Sequence, residues 1–223
     1  MKPSAALLLG ALFATAASAQ TAQSVGLYNT GALVNGITNP YTITGASVAG
    51  TFGLYEPLAG VYPLNGAWLA NTPDVQWLAF YSGNSAPGAT AAVPSLSGAT
   101  YNVGLTFNVT GISYQAVAFD IAAAVDNNLV LRLNGAPLTN LGSPAADGDR
   151  NYNNLSHYRF QVRGTNLQAG SNTLDFAVTN ISGPAGLYVQ YSNFAVIPEP
   201  STYALIFGIG TLGLAFLRRR CRR

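Results

Sequence analysis

One nine-residue run limits the fold of this chain more than any other feature. In Tyr101–Val109 the residues Tyr101, Val103, Leu105, Phe107 and Val109 fall on one side, with polar or small residues between them. A period of two is the spacing of a strand with one face buried and the other in water. Leu174, Phe176 and Val178 repeat the pattern. No long stretch between residues 20 and 197 has helical periodicity. Short β-prone runs alternate instead with turn residues: Tyr41–Thr44, Val75–Phe80, Tyr101–Val109, Ala116–Ala122, Leu129–Leu133, Tyr158–Arg163, Thr173–Thr179 and Leu187–Phe194. Asn134-Gly135 follows the fifth run, and both residues tolerate positive φ, so a tight turn is expected there. Gly170-Ser171-Asn172 precedes the seventh run, and Gly183-Pro184-Ala185-Gly186 separates the last two. The expected fold is all-β, a single antiparallel β-sandwich of the jelly-roll kind.

The two ends of the chain are unlike its middle. Lys2, an apolar stretch over Ala5–Ala17 and the small-x-small triplet Ala17-Ser18-Ala19 have the order of a secretory signal peptide. Residues 1–19 are therefore expected to be removed, with cleavage after Ala19. At the other end Ser201–Leu217 carries no charge. As a helix these residues reach roughly 25 Å, at the short limit for a hydrocarbon core of about 30 Å. Arg218, Arg219, Arg220, Arg222 and Arg223 follow. Such a cluster holds its end in the cytoplasm. The expected organisation is a signal peptide (1–19), a β-sandwich ectodomain (20–197) and a C-terminal signal (198–223), the last comprising a transmembrane helix over 201–217 and an arginine tail over 218–223.

The charged ends hide the character of the middle. Residues 20–197 hold four arginines against seven acidic residues, a net charge of −3. With no basic patch to neutralise phosphates, nucleic acid is not an expected partner. The only cysteine is Cys221, in the tail, so no disulfide staples the ectodomain. A chain of this length can bury a core without one.

Catalysis finds little support. His157 is the only histidine. It is surrounded by neither a triad frame nor the clustered ligands that zinc requires. A two-carboxylate glycosidase remains the one open enzymatic route, but nothing in the sequence pairs two of the seven acids.

Pro198-Glu199-Pro200, the apolar span and the arginines resemble, as a set, a PEP-CTERM sorting signal. Such a signal implies processing by exosortase, a membrane-embedded protease, in Gram-negative bacteria that make exopolysaccharide. The physical reading agrees. Pro198 biases Ile197 toward extended backbone, and Pro200 suits a first helical turn. Segments of the middle also resemble exported β-sandwich modules of the galactose-binding type: LYNTG (27–31), NPYTITG (39–45), AWLANTPDVQWLA (67–79), DNNLVLRLNG (126–135) and AGSNTLDFAVTN (169–180), with GPAGLYVQ following. The stretch from Ala136 to Ser156 matches none of them.

Candidate ligand sites follow from residue chemistry. Asp147-Gly148-Asp149 and the asparagines after it offer oxygen ligands suited to Ca²⁺, against a plain solvated turn. Asp126, in Asp126-Asn127-Asn128, is expected to tie a turn through backbone N–H groups, with a structural ion as the alternative. A sugar site wants aromatic faces beside planar hydrogen-bonding groups, and Trp68, Tyr152 and Tyr158 are the candidates. Trp77, in an alternating run, is expected in the core. Trp68, beside Gly66 and Asn71, is the better candidate of the two for an exposed platform, with core packing at least as much expected. The chain is thus expected to be an exported, non-catalytic protein of the cell envelope or matrix that binds exopolysaccharide. It would pass through the inner membrane on its way to the surface. A structural matrix or adhesion protein without a ligand is the alternative, and a glycoside hydrolase the last. No cofactor is expected beyond a structural calcium ion.

Overall fold

In the computed structural model, residues 21–31, 40–47, 52–55, 68–82, 97–146, 148 and 150–196 are described. The expected signal peptide with Ala17 and Ala19, the Pro198-Glu199-Pro200 motif, the expected transmembrane helix over 201–217, the five tail arginines, Asp147 and Asp149 lie outside them. No helix among the described residues is long and apolar enough to cross a membrane.

Ten strands form two antiparallel sheets. They are β1 (Thr42–Ala46), β2 (Phe52–Tyr55), β3 (Leu78–Ser82), β4 (Thr100–Val109), β5 (Val117–Asp126), β6 (Asn128–Leu133), β7 (Ala136–Pro137), β8 (Tyr158–Arg163), β9 (Gly170–Thr179) and β10 (Gly186–Val196). Sheet I has the order β1-β4-β9-β6-β7 and sheet II the order β2-β3-β10-β5-β8. The expected β-sandwich is therefore present.

The alternation in β4 sets the core. Tyr101, Val103, Leu105, Phe107 and Val109 are all buried, and β4 pairs with β9 without a break from Thr100↔Thr179 to Val109↔Gly170. From sheet II, Phe119, Ile121, Ala123, Val125, Leu187 and Val189 join the same core cluster. Phe80 stacks on Tyr101 at 5.0 Å, and Phe107 meets Phe119 edge-on at 5.8 Å. Each large apolar side chain buried this way contributes about 1.5–3 kcal/mol.

The turn residues behave unequally. Asn134 (φ 52°) and Gly135 (φ 83°) close the β6–β7 hairpin, as Asn-Gly does where both central residues need positive φ. The Gly183–Gly186 segment does not make a hairpin. It carries the chain from β9 in sheet I to β10 in sheet II.

The LYNTG segment completes sheet II with side chains. β10 pairs with β3 only at Gly186 and Leu187. Farther along this edge, Thr30 N–H donates to Val189 O (3.1 Å) and Thr30 Oγ1 accepts from Val189 N–H (2.9 Å). Asn29 Oδ1 accepts from Tyr191 N–H (2.8 Å). Gly31 follows at φ +65°, where a Cβ would overlap Gln76. Tyr41 Oη donates to Tyr28 O (2.7 Å) and shares a 3.1 Å hydrogen bond with Tyr191 Oη.

Strand directions assign the two ends of the sandwich. Val196, at the end of β10, lies opposite Val117 at the start of β5. The 3₁₀ turns Tyr114–Ala116 and Gly164–Asn166 sit at this exit end, with Gly164 packed on Gln115. Gly26 lies against Phe107, close to the same end. The far end carries the β5–β6 turn, the loop over residues 138–157 and the segment over residues 180–185.

Candidate functional site

Of the aromatic residues singled out above, Trp68, Trp77 and Tyr152 gather on the outer face of sheet II at the far end. Outward positions of β5 here are Ala122 and Ala124, beside Tyr188 of β10. These short side chains leave room for a covering layer, and residues 68–77 supply it. The segment holds its own shape: Trp77 N–H donates to Asn71 Oδ1 (2.9 Å), Trp77 Nε1–H to Leu69 O (2.9 Å), and Val75 N–H to Thr72 Oγ1 (3.1 Å). Trp68, Val75, Trp77, Ala124 and Tyr188 form a second apolar cluster, with Leu69, Tyr152 and Leu155 packed against it.

Trp77 is fully buried, as expected for core, although its cluster lies outside the sandwich. Trp68 is only 9% exposed, which corrects the exposed-platform reading in favour of core packing. Its ring lies 4.3 Å from Trp77, and its edge rests where Gly186 has no side chain, with a Cβ there only 2.8 Å from Cζ3. Tyr152 stacks on Trp68 at 6.1 Å and 23° and remains half-buried. Its carbonyl accepts Leu69 N–H at 3.0 Å. Asn153 and Asn154, next along the chain, are exposed. Burial of Tyr188 pushes its hydroxyl above the usual range, against a hydrogen bond from Thr72 that lowers it.

Tyr158 stands apart from this surface. It is 4% exposed and belongs to the main core. Its hydroxyl accepts Leu129 N–H at 3.1 Å. Burial raises its pKa, and that hydrogen bond opposes the rise. The structure thus brings Trp68 and Tyr152 together and places Tyr158 inside.

Asp126 is 5% exposed at the turn between the sheets. Asn127 beside it is equally enclosed. Its N–H donates to Thr179 O (3.1 Å), its Oδ1 accepts Ile181 N–H (2.6 Å), and its carbonyl accepts Asn151 Nδ2–H (2.8 Å). Asn151 has no exposed surface. Its Oδ1 takes Ala145 N–H (2.8 Å) and its carbonyl takes Val125 N–H (3.2 Å). The sequence marks Asn151 only as one of several asparagines offering oxygen ligands in a polar loop; in the structure its amide is buried and ties Ala145 N–H to Asn127 O. Gly148 is buried against Asn128 and Ile181, leaving no room for a Cβ. Gly148 therefore closes over the Asp126–Asn128 turn. Among the described residues no three His, Cys, Asp or Glu side chains gather as metal ligands do.

The other described carboxylates are dispersed. Asp120 lies on the outer face of sheet II, where it accepts from Arg163 (3.3 Å) and from Asn193 Nδ2 (2.7 Å). Asp175 lies on the outer face of sheet I, 3.8 Å from Arg132. Desolvation raises the Asp175 pKa, and Arg132 pulls it back. Asp74 is exposed in the covering segment.

No curated protein and no solved structure matches the chain. One family model does, the PEP-CTERM protein-sorting motif, over residues 196–220. This chain carries the PEP-CTERM sorting signal, which indicates an exported protein targeted to exosortase for sorting to the cell surface.

Proposed function

We propose that the sandwich is a non-catalytic polysaccharide-binding module of the cell envelope or matrix, of jelly-roll type, delivered through the inner membrane of a Gram-negative cell by its transient C-terminal helix. The observation that carries this reading is the half-buried Tyr152 ring, braced from beneath by Trp68 at 6.1 Å and followed by the exposed amides of Asn153 and Asn154. A rigid aromatic face beside planar hydrogen-bonding groups suits a sugar ring. A calcium ion, with Asp126, Asp147 and Asp149 as the candidate ligands, would be structural.

Binding of the surface-extracted protein to a glycan array and to the host's exopolysaccharide tests this reading. Binding that falls at least tenfold in Tyr152→Ala, with the fold intact, is the expected result. No binding at millimolar sugar would sink it and leave the structural matrix role. A change in thermal stability on adding calcium or a chelator tests the ion.

A further inference from the structure

The last strand carries a break just before the sorting signal. β10 pairs with β5 continuously from Gly186↔Asp126 to Ser192↔Asp120, loses register, and resumes only at Ala195↔Ala118 and Val196↔Val117. Asn193, in the break, is left-handed at φ 53°. Before it, Leu187, Val189 and Tyr191 are buried in the core. After it the chain is held lightly. Asn193, Ala195 and Val196 are exposed and Phe194 is half-buried. The contacts are Asn193 Nδ2 to Asp120 Oδ2 at 2.7 Å, a Phe194–Phe119 stack at 6.4 Å where Phe194 packs against the rim of the main core, and two ladder positions.

Val196 is also the first residue of the sorting motif, and only Ile197 separates it from Pro198. A protease grips an extended stretch on either side of the bond it cuts. One residue spans about 3.3 Å, whereas the sandwich behind it is two sheets about 10 Å apart. With β10 fully zipped, the domain would stand against the enzyme that binds the tripeptide. Releasing Asn193–Val196 would add about 13 Å of extended chain at the cost of one rim contact, Phe194 on Phe119, while the buried Leu187, Val189 and Tyr191 stay in place.

We propose that Asn193–Val196 is a detachable strand end, which peels from β5 as far as the bulge to deliver Pro198–Pro200 to exosortase. The bulge marks where peeling stops, because bulges end regular pairing; inward of it Ser192 is paired with Asp120 and Tyr191 is buried. This inference rests on exosortase processing of the tail.

The test is a covalent clip in the full-length chain, with Cys221→Ser as background, expressed in a host that has the protease. Ala118→Cys with Ala195→Cys joins paired positions beyond the bulge; Ala122→Cys with Gln190→Cys joins paired positions before it. The exported region has no competing thiol, and the compartment outside the cytoplasm is oxidising. Intact mass reports both the disulfide and retention of Arg218–Arg223. The outer clip is expected to slow processing at least tenfold, with reductant restoring it, while the inner clip is processed like the parent. An oxidised outer clip processed at the parental rate overturns the inference. Phe194→Ala needs no disulfide and is expected to speed processing; an unchanged or slower rate also counts against peeling. Retention of the arginines in the parent would refute processing itself, a separate outcome.

Discussion

The side-chain oxygen of Asn29 accepts the backbone N–H of Tyr191 at 2.8 Å, so a residue near the start of the described chain completes the edge of its last strand. The neighbouring Thr30 takes Val189 N–H in the same way. Two side chains thereby do what a longer β3 would do with its backbone. They explain why the LYNTG segment holds Asn and Thr where a buried strand would hold valine.

Replacing Asn29 by Ala leaves Tyr191 N–H without this acceptor. The expected loss is about 1–3 kcal/mol, the cost of an unmet buried donor. Urea unfolding of the ectodomain measures it, and an unchanged midpoint would show that the edge does not need the side chain.

Gly186→Ala should force Trp68 off the sheet. A methyl there lies 2.8 Å from the ring and 3.1 Å from Leu78 O, and a carbonyl of a neighbouring strand cannot move aside. Overpacking of this kind costs about 1–3 kcal/mol. Tryptophan emission should shift to the red as the ring meets water; a parental spectrum and stability would contradict the packing described.

Asn151→Ala removes the amide that links Ala145 N–H to Asn127 O. With two buried groups losing partners, about 2–4 kcal/mol is expected. Hydrogen exchange should speed up across residues 143–157 before it does in β4 or β9.

Alkaline pH should unfold the protein through Tyr41 and Tyr191. Burial raises both hydroxyls above their ordinary value of 10.0, so the folded state keeps protons that the unfolded chain releases. Their contribution is complete below pH 10 and falls as pH rises beyond it. Tyr41→Phe with Tyr191→Phe should flatten that fall. Urea midpoints from pH 8 to 11 for the two proteins check it; parallel curves would remove the pair from the account.

How much of this was legible follows from what alternation reports. It reports a buried face, so β4, β8 and β9 and their core residues emerged directly; β8 spans Tyr158–Arg163 as expected. β2 (Phe52–Tyr55) and β7 (Ala136–Pro137) were missed because four and two residues are too short to show a period. Val75–Trp77 alternates but is not part of β3, since Gln76 N–H bonds to Thr30 O and not to a ladder partner. The outer cluster was hidden because alternation labels Ala122, Ala124 and Tyr188 as solvent-facing. Alanine at successive outward positions was the available signal, since it leaves space that another segment can fill. The tight network around Asn151 had no signal of its own, because burial of an asparagine depends on partners that come from three separate segments.

The bond between Asn29 and Tyr191 also sets the timing of folding during export. Its partners lie 162 residues apart, and contacts of such long separation form late. A chain that emerges from its N-terminus cannot close sheet II until residue 191 has followed residue 29 through the translocation channel. Only residues 192–200 then separate residue 191 from the apolar span of the sorting signal. Closure of the sandwich and arrival of the signal at the membrane are therefore nearly simultaneous events, and a truncated ectodomain lacking β10 would emerge without its central strand.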